Sequence, residues 1–402
     1  MRSSLGDGVL AAPSAEAGAR ALERLRRVAA DPRAELRRIK ERTGLMAVGY
    51  FDTYLPPELI AAHGVLPFRV PTNGHDDTRA MEYIQGFACP ASRNVLDQAL
   101  RGDLDMLDGA LFTRYCDSLR GVFAVWDSEK LTPYVDFVRY PTVTHTQAAV
   151  DYLAEELQEV SWRMAGALGA PIDEHRLREA IDAGNRARAL LAEFARQRAA
   201  RELAVPGADA LAVLIAFTTM LPDEFTQALA ALMAQPPAGE PGDAVPVVLS
   251  GVTFDNIDLA RTFEDTGLYL IADDLSTGSR LYTVQVGDGD PWQALARAYL
   301  TKPPCSVKEP SAARADHLLA QVGASGAAGV VFYLTRFCDT EQVEWPFLRD
   351  RLAAEGIPVV LIEGEHRAAG LEQVRTRLEA FREQLEALAE VDDGEGQDGG
   401  SE

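Results

Sequence analysis

One pentapeptide pattern occurs twice, each time at the end of an apolar run. Thr113-Arg-Tyr-Cys-Asp117 follows the run GALF, and Thr335-Arg-Phe-Cys-Asp339 follows the run GVVFYL. A further cysteine beside proline lies upstream of each, at Cys89-Pro90 and Pro303-Pro304-Cys305. The simplest origin is two related domains, each delivering cysteines near the carboxyl ends of its strands. The surrounding pattern agrees. Met46–Phe51 and Leu66–Val70 are short β-like runs in the first half. Val245–Leu249, Leu268–Ala272, Gly329–Leu334 and Ile357–Ile362 are continuous apolar runs in the second, as strands buried on both faces require. Helical stretches separate the runs, which indicates βαβ units on parallel sheets.

The expected class is therefore α/β, with two doubly wound (Rossmann- or flavodoxin-like) parallel-sheet domains and a helical insertion between them. Residues 1–45 read as an arm and helices. Residues 46–145 form the first α/β domain, carrying Cys89 and Cys116. Residues 146–234 contain no clear strand, with Trp162, Leu177, Ile181, Leu190, Leu191 and Phe194 as core-facing positions. A Pro/Gly-rich stretch then marks a boundary. Residues 243–390 form the second α/β domain, carrying Cys305 and Cys338. It ends in a helix whose stripe is Leu371, Val374, Leu378, Phe381, Leu385 and Leu388. Residues 391–402, acidic and Gly-rich, read as a disordered tail.

Charge narrows the partners. Lys and Arg total 39 against 61 Asp and Glu, a formal net charge of −22. That balance opposes a nucleic-acid or anionic-membrane footprint but leaves room for a local basic pocket. The longest apolar run, Ala208–Leu221, is too short to span a bilayer and contains Asp209. The N-terminus lacks a secretory apolar region, so a cytoplasmic protein is expected. In that compartment four cysteines are not a disulfide framework.

Several thiolates in one cleft repel one another unless a cation holds them. Structural zinc uses tight Cys-x-x-Cys spacing, which is absent here. A Cys/His nucleophile needs one activated thiol rather than repeated strand-end cysteines. An Fe–S cluster on dispersed cysteines suits the pattern better. Four buried structural cysteines stand beside it as an equal reading.

Further motifs resemble a known family, the 2-hydroxyacyl-CoA dehydratase and benzoyl-CoA reductase subunits, over roughly Gly49 to Glu383. Gly49-Tyr-Phe-Asp-Thr-Tyr-Leu-Pro-Pro-Glu-Leu-Ile-Ala-Ala-His-Gly-Val-Leu-Pro67 resembles its N-terminal signature. Cys89-Pro90, Cys116-Asp117 and Phe337-Cys338-Asp339 are similar to its three cysteine motifs. Asp273-Asp274, Gly278-Ser-Arg280, Asp290-Pro291, Ala298-Tyr-Leu300 and Gln373–Phe381 follow in the family's order. The resemblance implies a [4Fe–4S] cluster on Cys89, Cys116 and Cys338 with one iron left open. It implies an acyl-CoA substrate, a paralogous second subunit and a separate ATP-hydrolysing Fe–S activator that supplies single electrons. In dehydratases of the family that electron makes a ketyl radical from the thioester carbonyl; in benzoyl-CoA reductases electrons enter the ring. Cys305 is left over. A double-cubane variant would need more cysteines than four.

Other residues carry two readings each. Glu58, after Leu55-Pro-Pro57, is a catalytic acid/base candidate or a first-turn Glu stabilised by the helix dipole. His63 faces the site or is a satisfied core histidine. Asp117 and Asp339 cap helices or hydrogen-bond around a cluster. Arg114 and Arg336 offset cluster charge, reach an anionic thioester, or form salt bridges. Ser250–Thr253 and Ser276–Arg280 follow strands and offer a cradle for CoA phosphates, though neither is a complete phosphate motif. His75, His145, His175, His317 and His366 have no metal spacing. Trp126, Trp292 and Trp345 are expected in packing, and Arg375, Thr376 and Arg377 at a subunit interface. A non-catalytic cluster-bearing or CoA-binding partner subunit is the alternative function.

Overall fold

The structure is a computed structural model and describes residues 15–72, 77–234, 243–308, 311–365 and 371–397. His75, His366, the first part of the N-terminal arm, most of the Pro/Gly-rich linker and the last five residues of the tail lie outside the described residues.

The strands are β1 (Ala47–Tyr50), β2 (Leu66–Arg69), β3 (Gly109–Thr113), β4 (Tyr134–Val138), β5 (Val245–Gly251), β6 (Leu268–Asp274), β7 (Gly329–Thr335) and β8 (Val359–Gly364). The helices before β5 are α1 (Ala15–Ala30), α2 (Pro32–Thr43), α3 (Pro57–Ala61), α4 (Pro90–Leu100), α5 (Asp117–Ser128), α6 (Gln147–Leu168), α7 (Glu174–Ala199), α8 (Gly207–Phe217) and α9 (Pro222–Met233). Those after it are α10 (Ile257–Asp265), α11 (Pro291–Leu300), α12 (Ser311–Ser325), α13 (Asp339–Ala354) and α14 (Leu371–Gln397).

The strands make two four-stranded sheets, ordered β2-β1-β3-β4 and β6-β5-β7-β8, with every pairing parallel. The second order is the first shifted by four strands, so the echo in sequence is an echo in topology. Matching glycines open the third strand of each sheet. A Cβ on Gly109 would lie 2.9 Å from the Tyr134 ring, and one on Gly329 2.9 Å from the Phe381 ring. Only hydrogen fits at either place.

The apolar runs became strands because both of their faces are covered; all seven residues of β7 are buried. The C-terminal stripe packs in part: Leu378, Phe381 and Leu385 are buried against the second sheet and Leu371 and Val374 partly so, whereas Leu388, 47% exposed, lies outside the core. β4 has no clear signature in the sequence, and its edge position with Asp136 in mid-strand explains why. Trp162 is 79% exposed, so it lies on the outer face of α6 rather than in the core. α14 continues past Val391 to Gln397, into the stretch read as a tail.

The two halves do not meet at a wet seam. One apolar cluster joins Tyr50, Leu59 and Leu111 of the first half to Leu157 of α6 and to Leu295, Tyr299 and Cys305 of the second. Among the described residues no helix is long and apolar enough to cross a membrane.

Candidate functional site

In parallel sheets all strands point the same way, so their carboxyl ends lie on one side, where such folds bind ligands. β3 ends at Thr113 and the chain turns at once into α5; β7 ends at Thr335 and turns into α13. Between those ends is a cleft of about 810 Å³ lined by Cys89, Cys116 and Cys338, together with Tyr115, Lys308 and Phe337. The three cysteines predicted to act together therefore face one space. The two halves are also tied by a buried hydrogen bond from Lys302 to Thr53, residues 249 positions apart in the chain.

Each of the three cysteines is the N-cap of a helix: Cys89 of α4, Cys116 of α5 and Cys338 of α13. A helix start leaves N–H groups unpaired and carries partial positive charge, which favours an anion there. The Leu119 N–H donates to Cys116 Sγ at 3.5 Å. The Cys89 thiol lies 3.2 Å from Ser92 Oγ, and Cys338 Sγ 3.6 Å from Thr340 Oγ1. Asp117 and Asp339, expected as caps, instead occupy the first helical positions behind the cysteines, and Asp117 points to solvent.

Burial pushes the Cys116 thiol up to about 12, and the Cys89 sulfur nearby adds to the rise. Burial also raises Cys338, with help from Glu341 and Cys89. Protonated thiols of this kind are not activated nucleophiles. Thiols are the kind of donor that gives up its proton to a bound metal cation. Among the described residues no group of three or more His, Cys, Asp or Glu closes round a point tightly enough for one metal ion.

Cys305 is different. It is fully buried, its N–H donates to the Tyr54 hydroxyl at 3.1 Å, and the Tyr54 and Tyr115 hydroxyls each lie 3.4 Å from its sulfur. Tyr115 thus spans from the cleft wall to the leftover cysteine. Lys308 Nζ sits 4.2 Å from the Tyr140 ring centroid and 5.1 Å from that of Tyr54. Burial lowers the Lys308 ammonium from its usual range. Lys302 Nζ donates to Thr53 O and Oγ1 at 2.6 and 2.7 Å, and burial pulls its pKa down to about 7. These tyrosines and lysines were missed by sequence reasoning. Tyr115 had a signal, as part of the repeated pentapeptide; the lysines had none beyond flanking the Pro-Pro-Cys stretch.

Several single residues lie elsewhere than the cleft. Glu58 is 2% exposed, ion-paired with Arg188, and accepts from the Tyr299 hydroxyl at 2.8 Å. It does not line the cysteine cleft. His63 is a satisfied core residue, held by Ala170 O and by Ser161 Oγ at 3.0 Å. Arg280 is no phosphate ligand: it is fully buried, ion-paired with Asp274, and donates to Pro304 O at 2.9 Å. Ser250 is spent on Asp274 at 2.9 Å, and Arg314 closes the same network through Asp274 and Glu344. That network is a buried brace under the Pro303–Cys305 turn. Arg336 pairs with Glu363 and Glu365, whereas Arg114 on the cleft wall has no acidic partner among the described residues.

Comparison with known proteins places the chain in a family. The family model of the 2-hydroxyglutaryl-CoA dehydratase D-component matches residues 52–385. The (R)-2-hydroxyglutaryl-CoA dehydratase subunit beta of Acidaminococcus fermentans is 31% identical over 90% of this chain and 98% of its own length. The lactoyl-CoA dehydratase subunit beta of Anaerotignum propionicum is 28% identical over 90% of this chain and 98% of its own. A benzoyl-CoA reductase subunit from Thauera aromatica is 25% identical over 84% of this chain and 90% of its own. The chain belongs to the 2-hydroxyglutaryl-CoA dehydratase D-component family.

Proposed function

We propose that this chain is a subunit of a [4Fe–4S]-dependent enzyme acting on CoA thioesters, of the (R)-2-hydroxyacyl-CoA dehydratase or benzoyl-CoA reductase type. In this reading Cys89, Cys116 and Cys338 are the cluster ligands, a paralogous partner protein completes the complex, and an ATP-hydrolysing activator in the same cytoplasm delivers single electrons. The observation that carries it is three thiols, each capping a different helix, facing one cleft. When bound, the cluster supplies one-electron chemistry and Lewis acidity at an open iron.

The chain's own residues supply the rest. The three cysteines give up their protons on loading, and the helix N-termini behind them offset the negative charge that results. Lys308, seated on the Tyr140 ring, furnishes a cationic wall where a thioester carbonyl gains electron density. Phe337 and Phe347 also line the cleft and keep water from a reactive acyl group. Glu58 acts from behind, through Arg188 and Tyr299, as a positioning group for the floor.

A second reading, a non-catalytic partner subunit, draws on one observation: the Glu58 carboxylate of the N-terminal signature is committed to Arg188 and not presented to the cleft. Anaerobic purification with iron and sulfide analysis tests the first reading. About four irons per chain and a broad visible absorption shoulder are expected. A colourless anaerobic protein without iron overturns it. Substrate that labels only the partner protein favours the second.

A further inference from the structure

Beside the cysteine cleft lies a second one of about 500 Å³, lined by Arg114, Arg120, Arg139, Phe137, Tyr140 and Tyr152. Arg114, Arg120 and Tyr140 line both, so the two spaces adjoin. Three guanidinium groups in one concavity are unusual for a chain with a net charge of −22. Their acidic neighbours do not use them up. Arg114 has none among the described residues. Arg120 pairs with Asp117 at 3.2 Å, but both side chains are exposed, and such a pair is easily exchanged. Arg139 gives one nitrogen to Glu156 at 3.3 Å and keeps the others. Asp136, on the same strand as Phe137, is occupied by Arg163 at 2.7 Å.

A second observation points to a ligand. Tyr140 is 1% exposed and lines both clefts, and its hydroxyl, shut off from solvent, has no hydrogen-bond partner among the described residues. A buried hydroxyl without a partner is costly unless an incoming group uses it. Tyr152, 45% exposed at the outer edge, offers an aromatic face. Guanidinium forks suit phosphate oxygens, and an exposed ring suits a purine. The competing anion site, at Ser250–Thr253 and Ser276–Arg280, is closed by the Asp274 brace.

We infer that the Arg114–Arg120–Arg139 cleft holds the phosphorylated nucleotide end of a CoA thioester, with the acyl arm passing Tyr140 into the cysteine cleft. This rests on the functional reading above and assigns its carrier-binding residues to the first domain.

The test is photolabelling of the anaerobic complex with the 8-azidoadenine analogue of coenzyme A, followed by peptide mapping. Label on this chain between Phe137 and Tyr152 is expected, protected by coenzyme A and by adenosine 3′,5′-bisphosphate but not by equal inorganic phosphate. Arg114→Ala and Arg139→Ala are each expected to weaken that protection by about tenfold or more. Iron content and far-UV dichroism should match wild type, and Arg336→Ala should leave protection unchanged. Label mapping to residues 250–280, or protection that survives both substitutions, overturns the site while the CoA reading stands. No protectable label on an iron-loaded complex overturns both. Protection by inorganic phosphate alone reduces the cleft to a general anion site and overturns the assignment.

Discussion

The two halves share a strand order and a pentapeptide, yet they put the same residues to opposite uses. In the first half Arg114 lines a basic wall with no acidic partner among the described residues, and Tyr115 reaches inward to Cys305. In the second half Arg336 is tied to Glu363 and Glu365, and Phe337 adopts a left-handed backbone, φ 61°, with its ring 6.0 Å from the Arg93 guanidinium of α4. The second cysteines diverge as well: Cys89 caps α4 at the cleft, whereas Cys305 is sunk among tyrosines. The two sheets share a strand order, and the charges placed around the repeated pentapeptide differ between them. A strand-end arginine is available to a ligand only where no acid has been placed beside it.

The sharpest way to break this comparison is to remove one cysteine at a time. Cys89→Ala, Cys116→Ala and Cys338→Ala should each take the anaerobic protein from about four irons to near none, while Cys305→Ala should keep its iron. Iron lost equally from all four variants would erase the distinction between the capping cysteines and the sunken one. Next is the buried brace. Arg314→Met leaves Glu344 and Glu341 without their cation, while Asp274 keeps Arg280, and should cost about 3–5 kcal/mol in denaturant unfolding. Arg188→Met should cost less, since Glu58 keeps the Tyr299 hydroxyl.

A smaller effect depends on pH. Lys302 has a pKa of about 7 when folded against roughly 10.4 when unfolded. Between those values the unfolded chain holds more protons, so this group makes stability rise with pH through that window. The rise should be missing in Lys302→Met, measured as denaturant midpoints from pH 7 to 9. Smallest is Phe337. Its left-handed backbone costs on the order of 1 kcal/mol, so Phe337→Gly should be close to neutral. Phe337→Val should destabilise by about 1–2 kcal/mol, because a β-branched residue tolerates that conformation worst.

Much of the frame was legible because its signals are local. Continuous Val/Ile runs are strands only when both faces are covered, and the echo placed the cysteines at strand ends. What was not legible depends on partners distant in sequence. Arg188 lies 130 residues from Glu58, and nothing around either names the other. Ser276-Thr-Gly-Ser-Arg280 has the composition of an anion cradle, but Asp274 and the Pro303–Pro304 carbonyls consume its arginine. Trp162 failed for another reason: a helix periodic on more than one face does not say which face meets the core. The N-cap role of the cysteines was also missed, since cysteine is not among the residues that usually announce a helix start.

The hydrocarbon seam between the halves has a consequence for traffic. A molecule that gripped its guest like a jaw would need a wet, polar joint, and here Leu59, Leu157 and Leu295 bond the joint shut. Prising it apart would wet a core to admit a single ligand. On the proposed reading a ligand reaches the cysteines from the open side of the cleft, past Tyr140, which lines both spaces.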